Sequence, residues 1–275
     1  MKQVFKIGNS EELNTTECDL LMEIGESHVC FGILDHSTKT LLQSGYFTTE
    51  EKDNGDILQN IFEQNAELRS PFHQTVVGYY MTENVLIPSK FYFFEKTKSI
   101  LQAMYDGMQN IVISESIPGW QMYNTYHVPA AIHEFINRKF AGGNFWHAHS
   151  VALKNGLPQR EEGNLMVNFK TDSFSVMVTK GNSLLLAQIY PYINAEDVLY
   201  FLLKICKQLS LSQTDVSLIL SGLINHDSAV YKGLYQYFVN LQFALPDDDI
   251  RLSESFSEYP VHFFSSIFKL ALCVL

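Results

Sequence analysis

Apolar residues gather in three successive strand-like runs near the start of the chain, residues 20–25, 29–34 and 41–47. In the second stretch Val29, Phe31 and Ile33 fall on one face and Cys30 and Gly32 on the other, the pattern of a pleated strand. Turn-forming residues separate the runs (Gly25-Glu26-Ser27 and Asp35-His36-Ser37), which predicts a meander of three antiparallel strands. A 3.6-residue period follows, with Ile57, Leu58, Ile61 and Phe62 on one helical face. Strands are expected at 74–80 and 110–114, and helices at 99–108 and 129–140.

The same order then returns. Residues 164–169, 174–179 and 184–190 read as strands, with turns at Lys170-Thr171-Asp172 and Lys180-Gly181-Asn182. A helix over 195–209 is well signalled: Asn194 can cap it, Asp197 can answer, and Val198, Leu202, Cys206 and Leu209 make its apolar stripe. A strand at 216–220 leads to Ser221-Gly222, a helix is expected at 228–239, and Leu245-Pro246-Asp247-Asp248-Asp249 reads as a solvated loop. Sliding residues 22–34 onto 167–179, an offset of 145, superposes apolar on apolar without a single identity, so the shared order of elements is the stronger sign of duplication. Turn residues crowd Gly142-Gly143-Asn144 and the stretch from Asn155 to Gly163, which places a boundary within 150–163. The expectation is an α/β protein of two lobes, residues 1–155 and 156–275, each a mixed five-stranded sheet with flanking helices.

Composition narrows the functional classes. Of 275 residues 46% are hydrophobic and only 18% charged, enough apolar surface for a substantial core. The net charge of −11 repels a phosphate backbone, so nucleic acid is not an expected partner. Lys90, Lys96 and Lys98 interleave with Phe91, Tyr92, Phe93 and Phe94, and this cluster reads as a strand end running into a solvated helix start. Cys18, Cys30, Cys206 and Cys273 show no metal or disulfide spacing, and the first residues lack the apolar core of a signal peptide, so a cytoplasmic protein is expected. The apolar segment 261–275 is too short to span a bilayer and reads as a buried terminal helix or a docking surface.

Three segments carry a resemblance: Thr75-Val76-Val77-Gly78-Tyr79-Tyr80, Val85-Leu86-Ile87-Pro88-Ser89-Lys90-Phe91 and the second meander, 164–190. With the repeated order of elements they resemble the actin-like ATPase fold, a duplicated ribonuclease H-like architecture. The whole chain is similar to an uncharacterised bacterial family assigned that fold. The resemblance implies an Asp-x-Gly turn between the first two strands of each lobe, with Asp holding hydrated Mg²⁺ and Gly admitting phosphate to the backbone. Here the matching residues are Glu23-Ile24-Gly25 and Asn168-Phe169-Lys170, and the adenosine-side glycine pair is reduced to Gly222. Glu23, Gly25, Asn168, Lys170 and Gly222 are therefore expected to be a vestigial nucleotide cleft, without hydrolysis and without a bound cofactor. The nearest functional analogues implied are the actin-like adaptors of pilus and secretion machinery.

The leading expectation is a non-catalytic actin-like binding or scaffold protein that meets an unidentified protein partner, a second copy of itself included, through 91–94 or 261–275. One alternative is an ATP-binding protein using Gly25, Lys170 and Gly222. Another is a metal-dependent hydrolase in which His147 and His149, sharing one face of a strand, grip a metal; His127 and His133 lie nearby, but no acidic third ligand has suitable spacing, and no metal site is assigned. His226-Asp227 suggests a triad fragment, but reads as helix capping by Asn225 or Asp227. Glu23 alone does not make the carboxylate cluster of a two-metal nuclease.

Overall fold

Where β-branched and aromatic residues alternate, the chain forms strands, and the described strands assemble into three sheets, two of them of one design. The computed structural model describes the chain except residues 9–12, 50–55, 106–109, 247–248 and 274–275, and the side chains of 56 and 57. The Ile57 side chain, the expected helix end at 106–108, Asp247 and Asp248, and the last two residues of the terminal segment thus lie outside the described residues. The chain divides into two compact units: Met1–Asn155 with Asp248–Glu258 and Ile267–Leu275, and Gly156–Asp247 with Tyr259–Ser266.

In the first unit β1 (Lys2–Ile7) precedes the meander β2 (Cys18–Gly25), β3 (His28–Asp35) and β4 (Thr40–Thr48). After α1 (Asp56–Gln64) come β5 (Gln74–Tyr80), β6 (Asn84–Pro88), α2 (Phe94–Met104), β7 (Asn110–Ile117), β8 (Met122–Pro129), α3 (Ala130–Lys139), β9 (Asn144–His147) and α4 (Ala148–Lys154). The principal sheet runs β1-β4-β3-β2-β5-β9, with a short β15 (Arg251–Leu252) also on β4. Its centre, β4-β3-β2-β5-β9, has an antiparallel meander followed by two parallel strands.

In the second unit β10 (Asn164–Phe169), β11 (Ser173–Lys180) and β12 (Ser183–Pro191) form the meander. There follow α5 (Ala195–Gln208), β13 (Ser217–Gly222), α6 (Ala229–Tyr235) and β14 (Asn240–Phe243). The order β12-β11-β10-β13-β14 repeats that of the first unit, again with two parallel pairs after the meander. The hairpins match residue for residue at the offset of 145. Leu20 faces Ile33 as Leu165 faces Val178, and Ile24 faces Val29 as Phe169 faces Phe174.

The cores follow from these faces. Leu20, Met22, Val29, Phe31 and Ile33 pack with Leu58, Ile61 and Phe62 of α1 and Ile132 and Ile136 of α3. Leu165, Val167, Val176 and Val178 pack with Val198, Leu202, Ile205 and Cys206 of α5. The expected capping box is present: Asn194 accepts from the Asp197 N–H, and the Asp197 carboxylate accepts from the Asn194 N–H.

Four expectations change. Residues 110–117 are a strand, but one that pairs with β8 in a separate three-stranded sheet, β6-β8-β7; the fifth place in the principal sheet goes to β9, whose four residues follow a turn-rich stretch. The helix expected at 228–239 stops at Tyr235 and is capped by Ser228, whose hydroxyl accepts from the Tyr231 N–H; Asn225 instead holds the Asp227 N–H in the preceding turn. The cut at 155/156 assigns every later residue to the second lobe, yet the described residues 249–258 and 267–273 belong to the first unit. The reason is steric. A Cβ on Gly32 would stand 2.5 Å from Ile267, and one on Gly78 3.0 Å from Leu270, so the bare strands β3 and β5 let α7 (Ser265–Ala271) lie close. Finally, Phe264, Ile267, Phe268, Leu270 and Ala271 are all buried, so of the two readings of 261–275 the described residues fit the buried terminal segment and not the docking surface.

Candidate functional site

The turn after β2 presents Glu23, Ile24 and Gly25, and the start of β3 supplies His28. A Cβ on Gly25 would meet the His28 ring at 2.4 Å, so this glycine is required by an imidazole packed on its open side. The ring is stacked on Tyr46 (5.4 Å between centroids, 3° apart) and meets Tyr80 edge-on. Its Nε2 donates to Glu23 Oε1 at 3.2 Å. Both Glu23 and His28 are buried. Glu23 is thus held by a neighbouring side chain in the place where the resemblance puts a metal-holding carboxylate.

The equivalent turn after β10 is occupied in a different way. Asn168 Nδ2 donates to Ser221 Oγ at 2.9 Å, and Ser221 Oγ donates to the Val167 carbonyl at 3.2 Å. Lys170 is 3% exposed, and its ammonium donates to Ser266 Oγ at 2.9 Å. The Lys170 backbone is also held: its N–H donates to the Ser173 carbonyl, and its carbonyl accepts from the Tyr192 hydroxyl. Gly222 ends β13 with φ +78°, and a Cβ there would lie 2.2 Å from the Phe169 oxygen. That close approach allows the Leu223 N–H to reach the same oxygen at 2.9 Å. Glu23 and Gly25 are brought together in the first unit, and Asn168, Lys170 and Gly222 in the second. The hydrogen bonds named above each join residues of the same unit.

The histidine pair has no metal-gripping geometry. His147 ends β9, but His149 is already in α4, so the two do not share a strand face. His147 Nδ1 accepts from the His149 N–H at 3.0 Å, capping the helix, and its Nε2 donates to the Met81 carbonyl at 3.0 Å. Both His147 nitrogens are thereby used. His127 and His133 do not converge on them: His127 Nδ1 pairs with Glu83 at 2.6 Å, and His133 bonds to Tyr79 and Asn137. Burial lowers the His147 pKa to about 4 and holds that of His149 well below the ordinary range, so both rings are neutral at pH 7. Close by, Glu115 accepts from the Tyr126 hydroxyl and from the His147 N–H, and burial raises its pKa despite those bonds.

Neither ring nitrogen of His149 has a hydrogen-bond partner. Replacing a buried polar ring that gains nothing by an apolar side chain removes a desolvation cost. His149→Leu is therefore expected to raise stability by about 1 kcal/mol in denaturant titration, and a loss of that size would show that the ring makes a contact needed for the fold.

A family model described as "Protein of unknown function (DUF3822)" matches residues 8–241. The chain belongs to this family. No curated protein matches it. Among solved structures it is similar to a Bacteroides thetaiotaomicron protein described as having an actin-like ATPase fold and unknown function. The TM-score is 0.72 at 15% identity, over 86% of this chain and 94% of that one. It is also similar to the PilM–PilN type IV pilus biogenesis complex, with a TM-score of 0.57 at 11% identity, over 94% of this chain and 98% of that one. The family member described here therefore has the actin-like ATPase fold, as the repeated sheet order indicated. No helix among the described residues is long and apolar enough to cross a membrane.

The signal for His28 was present in the sequence. A histidine three residues after Gly25, at the start of an alternating strand, is placed by hairpin register beside the glycine it fills. The partner of Lys170 was not legible, because Ser266 is 96 residues away.

Proposed function

We propose that the protein is a non-catalytic actin-like binding module of the cytoplasm that acts by holding a protein partner. The observation that carries this reading is the internal engagement of both turns: the His28 ring lies against Gly25, and the Lys170 ammonium is bonded to Ser266. Replacing Asp by Asn168 removes a formal charge from a metal shell, and losing even one preorganised group commonly costs about 10²–10³ in rate. None of the four cysteines is in a disulfide, which suits a reducing compartment, and burial raises the thiols of Cys18 and Cys206 to about 11.

A surface for the partner lies in the first unit. Phe91, Phe93, Phe94, Ile100 and Met104 are exposed, Phe91 at 69% and Phe93 at 61%, while α2 buries only Thr97 and Leu101. Lys90 stands over the Phe91 ring and Lys96 over the Phe93 ring, so aromatic faces and cations are presented together. A clustered apolar surface of this kind favours a partner with apolar side chains flanked by carboxylates. That the similar PilM structure is in complex with PilN adds support at the level of fold only.

Thermal melting with Mg-ATP tests the reading. A ligand at 100 times its Kd stabilises by about 2.7 kcal/mol, which moves the midpoint of a chain this size by several degrees. We expect no shift with millimolar Mg-ATP. A reproducible rise would make the protein a nucleotide binder and overturn the proposal.

A further inference from the structure

Three side chains that no motif connects meet at one end of the principal sheet of the first unit, where β2 begins. Asp19 is the second residue of β2, His36 follows β3 and His73 precedes β5. The backbone sets their positions: the His36 N–H donates to the Glu17 carbonyl at 3.0 Å, and the His73 N–H to the Cys18 carbonyl at 2.9 Å. The backbone at both histidines is thereby held beside the start of β2. Asp19 Oδ2 lies 2.9 Å from His36 Nδ1, and Asp19 Oδ1 lies 3.2 Å from His73 Nδ1. The two rings are 4.0 Å apart between centroids. One ligand atom from each residue can be chosen so that all three lie within 4.8 Å of one another.

The Asp19 carboxylate is fully buried, and among the described residues its ion-pair partners are these two imidazoles alone, with no lysine or arginine. A buried carboxylate is costly without a compensating cation, and a divalent metal shared with the two imidazoles would supply one. A ring that carries its proton on Nε2 offers its Nδ1 lone pair to a metal, and both rings are partly exposed. Tetrahedral bonds of about 2.0–2.1 Å place ligand atoms roughly 3.3 Å apart. The two imidazole–carboxylate separations, 2.9 Å and 3.2 Å, are close to that, and all three ligand atoms lie within 4.8 Å of one another.

We propose that Asp19, His36 and His73 form a binding site for one zinc ion. Two imidazole nitrogens and one carboxylate oxygen are a borderline-hard set of the kind zinc takes, with the fourth position left to water or to an anionic ligand. His73 also lines a groove of about 470 Å³ with Arg69, Pro71, Phe72 and Lys139, which gives solvent and small anions access to the site. This site is separate from the two turns discussed above, and the proposal does not depend on the binding-module reading.

The test is zinc titration of chelator-treated protein against a chromophoric competitor, with Co²⁺ substitution as a second readout. The expected result is one zinc per chain at micromolar affinity or tighter, a tetrahedral Co²⁺ absorption band, and a higher melting temperature with zinc. His36→Ala and His73→Ala change partly exposed side chains and should fold; each should weaken binding at least about 100-fold, and the double variant should lose the Co²⁺ band. Absence of stoichiometric zinc binding in the wild type would overturn the site. So would unchanged affinity in the double variant, which would assign the metal to other histidines.

Discussion

Gly222→Ala is expected to cost the second unit about 3–5 kcal/mol, enough to leave most of it unfolded under mild conditions. Two effects combine. The residue sits at φ +78°, where an L side chain is strained, and its Cβ would stand 2.2 Å from the Phe169 oxygen and 2.8 Å from the Phe169 nitrogen. These are backbone atoms, so no rotamer change relieves the overlap. The parallel register of β10 and β13, from Asn164 opposite Ser217 to Phe169 opposite Gly222, must open at its end. The bond from the Leu223 N–H to Phe169 is lost with it. Far-UV circular dichroism during urea unfolding reads the effect, and an unchanged midpoint would show that the strand end adjusts at little cost.

Acid is expected to destabilise the first unit through its buried histidines. The His147 pKa is about 4 in the folded chain and near 6.5 when exposed. Above pH 6.5 neither state binds the proton. As the pH falls below 6.5 the unfolded chain takes it up while the folded chain does not, so stability drops until about pH 4. Each pKa unit corresponds to about 1.4 kcal/mol, so His147 alone accounts for a loss of roughly 3 kcal/mol between pH 7 and pH 4. His149 acts in the same direction, its protonation disfavoured first by burial and then by His147 and Lys269. Glu115 opposes them. Its pKa is raised by burial, so the folded chain keeps a proton that the unfolded chain has lost, and acidification relieves that penalty. Glu115→Gln keeps an oxygen for the Tyr126 hydroxyl and the His147 N–H and should steepen the acid loss. Urea midpoints from pH 7 to pH 4 measure both effects; a flat wild-type profile would show that the two rings are hydrated.

These effects arise at residues whose surroundings were partly foreseeable. Alternation located both meanders, and the match of Leu20–Ile33 with Leu165–Val178 in hairpin pairing bears out the duplication at an offset found without one identical residue. The box at Asn194 and Asp197 was legible because capping is a matter of three residues. β9 was missed because a four-residue strand after Gly142-Gly143 carries too few alternating positions to stand out from a turn. A strand at 110–114 was read, but its extension to Ile117 and its sheet were not, since a strand's own pattern does not name its neighbour.

By itself, the sequence determined most of the local elements, the repeat of their order and the departure of Glu23-Ile24-Gly25 and Asn168-Phe169-Lys170 from an Asp-x-Gly pattern, because these depend on residues within a few positions of one another. Tertiary structure alone decided that Ser266 takes the Lys170 ammonium and that Asp19, His36 and His73 converge. Register and packing set those distances, which join residues as far as 96 positions apart, and no periodicity along the chain encodes them.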